Sequence, residues 1–234
     1  MRLPVLQTDT VLHIGRLDLA TKGRNSLEGH CLSVSLCPTA WRSIAQLGGH
    51  PLWSLTLRNA AYLDLHRVEK SKTLRAHIEA WGLVQDYVRQ VQCWRVWCTD
   101  EEGDFRYSLY ATETAARLES GDDDEGPDHG PAVEPLAILA GTQRLADHVH
   151  VADLATRESF DLLALVWAES TQPAVCGVWW SETYDPMALS APRGGIFPDR
   201  LSQFDVSPCS FNDHDDDETG EGLRAGFLPI HSST

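Results

Sequence analysis

Three short segments hold side chains that could act on one ligand. Val11-Leu-His-Ile-Gly15 puts an imidazole, His13, near the end of an early β-like run, with Gly15 and Arg16 directly behind it. Ser33-Val-Ser35 sets two hydroxyls at alternate positions of a second short run. Gly177-Val-Trp-Trp-Ser-Glu182 ends an apolar run in a carboxylate, and Arg193 follows just before Gly194-Gly195. A carboxylate so placed can stabilise positive charge that grows only in a transition state. The general parallel is glycoside hydrolysis, where the sugar becomes oxocarbenium-like beside a carboxylate. Arg16 and Arg193 suit charge-assisted bonds to phosphate oxygens. An indole can stack on a planar ring, and strand alternation puts Trp180, not Trp179, on the face of Glu182.

Each candidate has a plainer reading. His13 can be a satisfied core or surface histidine, Ser33 and Ser35 ordinary residues at a sheet edge, and Glu182 the first solvated residue after a buried strand. Asp185-Pro186 and Ala191-Pro-Arg-Gly-Gly195 also read as turns. His148-x-His150 with Asp147 and Asp153, or Asp64-Leu-His66, lacks an obvious third ligand, so no metal site is expected. No Walker-type loop, GxSxG elbow or GxGxxG fingerprint occurs.

The elements that must position these groups follow from periodicity. Strands are expected at 10–14, 31–35, 52–57 and 62–65, with a helix from Pro38 closed by Gly48-Gly49. Leu74, Ile78, Trp81, Val84, Val88 and Val91 recur at helical steps, and Ser71 or Thr73 can cap the helix they predict. Residues 92–99 and 104–111 read as a hairpin around Asp100-Glu-Glu-Gly103. Phe160, Leu163, Ala164 and Trp167 mark a second helix over 153–170, and 175–180 a buried strand.

Composition limits the partners. The chain has 234 residues, 19 basic and 34 acidic, for a net charge of −15. Phosphate backbones and anionic membranes are bound chiefly through Lys and Arg, so non-specific nucleic-acid binding and membrane attachment are both disfavoured. No run has the roughly 18 apolar residues of a membrane span, and the first residues do not read as a signal peptide. The six cysteines lack zinc-type spacing and are expected as buried thiols in a cytoplasmic protein. Two acidic runs, 121–125 and 213–218, lie in segments too charged to collapse. The expected organisation is one domain over 1–206, with an acidic insertion at 119–135 and a flexible acidic tail at 207–234.

The order of His13-x-Gly15, the Ser33/Ser35 strand and the late Glu182 strand resembles the ADP-ribosyltransferase-like family over residues 10–200. The resemblance implies an α+β fold, a split and mostly antiparallel β-sandwich with flanking helices around a cleft for NAD. It implies Glu182 as the catalytic carboxylate on the nicotinamide ribose. His13, Gly15, Arg16, Ser33, Ser35, Trp180 and Arg193 would bind NAD, with His13 on the adenosine-side ribose. Trp180 stands where the family usually has Glu or Gln two residues before the catalytic Glu. That departure puts transfer to arginine or aspartate side chains in doubt. The implied activity is ADP-ribosyl transfer to a macromolecular or small acceptor, of the kind used by bacterial or phage toxins and effectors. Two alternatives are a non-enzymatic acidic inhibitor or immunity protein, and a nucleotide or RNA-end processing enzyme on the same fold.

Overall fold

A computed structural model describes residues 2–17, 27–38, 41–42, 46–99, 105–120, 133–145, 157–181 and 193–210. The chain runs β1 (Val5–Ile14), α1 (Leu27–His30), β2 (Leu32–Ser35), β3 (Leu52–Asp64), α2 (Leu65–Lys70) and α3 (Lys72–Val84). It continues through β4 (Val88–Thr99), β5 (Phe105–Tyr110), α4 (Glu113–Ser120), β6 (Val133–Gly141), α5 (Arg157–Thr171), β7 (Gly177–Ser181) and β8 (Arg193–Ile196). A 3-10 helix (Pro198–Gln203) and β9 (Asp205–Cys209) complete it.

The class is α+β with mostly antiparallel strands. The larger sheet has the order β1-β2-β8-β7-β3-β9, and β3 also pairs with β1. Five strands therefore close into a ring, where an open sandwich layer was expected. The closure has a local cause in β3. Arg58-Asn59 reads in sequence as a turn between two strands, but the chain stays extended and only bulges. Asn59 adopts φ +56°, and its N–H donates to the Asp9 carboxylate at 2.6 Å. One long strand results, paired with β1 along one edge. Its other edge is shared between β9, opposite residues 52–56, and β7, parallel to residues 62–64. The second sheet has the order β5-β4-β6.

The two largest of four apolar clusters flank the ring strands. Val11, Val34, Leu55, Tyr62, Trp179 and Ile196 pack together on one side of the ring. Leu63 and Val178 contribute to a larger core with α2, α3, α5 and the start of β4. Every residue from Phe160 to Ala168 is buried, Asp161 included. The four apolar positions used to predict α5 thus mark only part of its buried surface; a helix apolar on most sides is enclosed by its neighbours.

Glycine fixes the β2-β8-β7 seam. A Cβ on Gly177 would lie 1.9 Å from the Gly195 carbonyl oxygen, one on Gly194 2.3 Å from the Trp179 ring, and one on Gly195 2.0 Å from the Cys31 sulfur. Gly194-Gly195, read as part of a turn, is the middle of strand β8, because only residues without side chains allow backbones and indoles so close.

Other boundaries shift for identifiable reasons. Ser71 caps α3 as expected, accepting from Leu74 N–H. The helix stops at Val84 because Asp86 turns at φ +59°, so Val88 and Val91 belong to β4 and not to the helix. Of the helix expected between Pro38 and Gly48, Pro38, Trp41 and Arg42 are described and helical, and Gln46, at φ +55°, and Leu47 are described and are not; Ile44 and Ala45 lie outside the described residues. Helix α4 falls just before and into the segment expected as an acidic loop, burying only Ala116. Strand β9 carries pairing to Cys209, past the expected start of the tail at 207. The acidic runs lie outside the described residues, as do His148 and His150.

Candidate functional site

Four adjacent strands bring the three chemistry-bearing segments into one line. Leu12 pairs with Ser35, Ser35 with Arg193, and Arg193 with Ser181. The row crosses β1, β2, β8 and β7 in succession and ends one residue before Glu182 in sequence. Neighbouring strands are about 4.8 Å apart, so the row spans about 15 Å. Glu182 itself lies outside the described residues.

At the β1 end the backbone makes a tight turn at Gly15, which adopts φ +121°, a conformation open to glycine. Gly15 N–H donates to the Pro51 carbonyl at 2.9 Å. The Trp53 indole N–H donates to the Gly15 carbonyl at 2.9 Å. His13 Nδ1 lies 2.7 Å from the Ser33 carbonyl oxygen, and Nε2 lies 3.1 Å from that of Arg16. The ring is buried, 6.4 Å from the Trp41 ring centroid to centroid. Because β1 and β2 pair only at Leu12 and Ser35, the imidazole ties strand to strand where the ladder opens. The Arg16 residue itself is exposed.

The remaining predicted residues divide by face. Residues paired in register share a face of a sheet. Ser33, Ser35 and Arg193 therefore stand on the side of Leu12 and Gly195, while His13 shares the side of its partner Trp53. Ser35 uses its hydroxyl to accept from Cys37 N–H at 2.9 Å, and Ser33 offers its carbonyl to His13. Trp180 sits at a bulge, since β7 shifts register against β8 between Trp179 and Ser181. The bulge interrupts simple alternation at Trp180, and Glu182, whose face it is expected to share, lies outside the described residues. The Trp180 ring reaches toward Gly195, 3.1 Å from where a Cβ would stand. Arg193 is half-buried in line with Ser35 and Ser181.

Residue typing did not single out Pro51 and Trp53. A Trp within a strand next to a Gly turn was the available signal, since a buried indole N–H seeks an acceptor. Asp64, weighed as a metal ligand with His66, caps α2: its carboxylate accepts from Arg67 N–H at 3.0 Å and pairs with the Arg67 guanidinium at 3.0 Å. Among the described residues there is no group of three or more His, Cys, Asp or Glu side chains arranged to hold a metal ion. Nor is any described helix long and apolar enough to cross a membrane. Cys31, Cys37, Cys93 and Cys176 are buried and Cys209 partly buried, all outside any disulfide.

Two further groups carry displaced ionisation. Glu134, on β6, accepts from the Trp97 indole at 2.9 Å and from Arg95 Nε at 2.8 Å. The Trp97 bond first, and Arg95 with it, holds its carboxyl below the usual range. Tyr62 is buried in the ring core, its hydroxyl without a hydrogen-bond partner. Burial, and then the Cys176 thiol beside it, pushes the phenol well above its ordinary range.

No protein-family model, no curated protein and no solved structure matches the chain.

Proposed function

We propose that the protein is an NAD-dependent ADP-ribosyltransferase, with Glu182 as the carboxylate that stabilises the ribose cation as nicotinamide leaves. The observation that supports this reading is the row Leu12–Ser35–Arg193–Ser181. It joins the ends of the three segments on which the family resemblance rests. In this reading Arg16 and Arg193 meet the pyrophosphate, and Trp180 borders the nicotinamide. In place of a two-layered sandwich the chain has a ring and a three-stranded sheet, and in this reading NAD would sit at the ring's edge near Arg16 and Arg193. His13 and Ser35 are hydrogen-bonded to backbone groups, so in this reading their part is to hold the strands that flank the ligand.

The test is nicotinamide release from NAD by the full chain. Glu182→Gln should lower the rate about a hundredfold or more, the scale of losing one preorganised electrostatic stabiliser. An unchanged rate removes Glu182 from the mechanism.

A second reading rests on the net charge of −15: an acidic inhibitor that occupies a basic surface of another protein. Deleting 211–234 and replacing the acids of 121–125 should abolish partner capture in that case, and should leave NAD turnover intact in the first.

A further inference from the structure

We draw no further inference here: the strongest candidate, the Arg95–Trp97–Tyr107–Glu134 side-chain cluster on one face of the β5-β4-β6 sheet, has its guanidinium, indole and carboxylate engaged with one another, and nothing in the structure shows what covers the exposed Tyr107 ring.

Discussion

His13, Ser35 and Glu134 show how much a side chain's partners decide what it can do. Residue types alone made His13 a candidate ligand contact, and its ring lies against the Ser33 and Arg16 carbonyls. What typing could not reveal is that both ring nitrogens are taken by carbonyls, because hydrogen-bond partners 20 positions apart follow from the closure of the ring. Ser35 was likewise legible as a strand hydroxyl, and its bond to Cys37 N–H was not. Glu134 permits a pH prediction. Its folded-state carboxyl is held low, chiefly by Trp97 and then by Arg95. The stability it contributes is therefore present above the carboxylate range and lost as pH falls through the folded-state value. Glu134→Gln should lower the melting temperature at neutral pH, and the gap to wild type should close in acid. Tyr62→Phe works the other way: it deletes a buried hydroxyl with no hydrogen-bond partner. Thermal melts should show the variant as stable as wild type or more so.

Among the elements, α3 and α5 were the most legible, because apolar residues at helical spacing and a capping serine act locally. Strand β8 was the least. Arg193-Gly-Gly reads as a turn, and only the close approach of Cys31, Trp179 and the β7 backbone makes it a strand. The same approach predicts that Gly194→Ala and Gly177→Ala each destabilise by about 3 kcal/mol or more, since overpacking against fixed backbone and a buried indole has no cheap relief. Denaturant unfolding measures this directly. Equal stability would mean that the β2-β8-β7 seam is looser than described. The bulge at Asn59 explains why two predicted strands are one, and why the sheet closes: a single β3 reaches β1, β7 and β9 together.

At the scale of the whole molecule, the α+β class and the mostly antiparallel pairing were readable from alternating runs and two amphipathic helices. The closed ring was not, because closure depends on β3 pairing at both edges with strands far away in sequence. The central claim spans that ring: the early Arg16 turn and the late Arg193–Glu182 region serve one dinucleotide. Calorimetric titration with NAD tests it most directly. Wild type and Glu182→Gln should both give saturable heat with similar affinity, because the carboxylate acts mainly in the transition state, while a variant with Arg16→Ala and Arg193→Gln should bind at least about a hundredfold more weakly. Unaltered affinity in the double-arginine variant, or no heat from wild type, would contradict it.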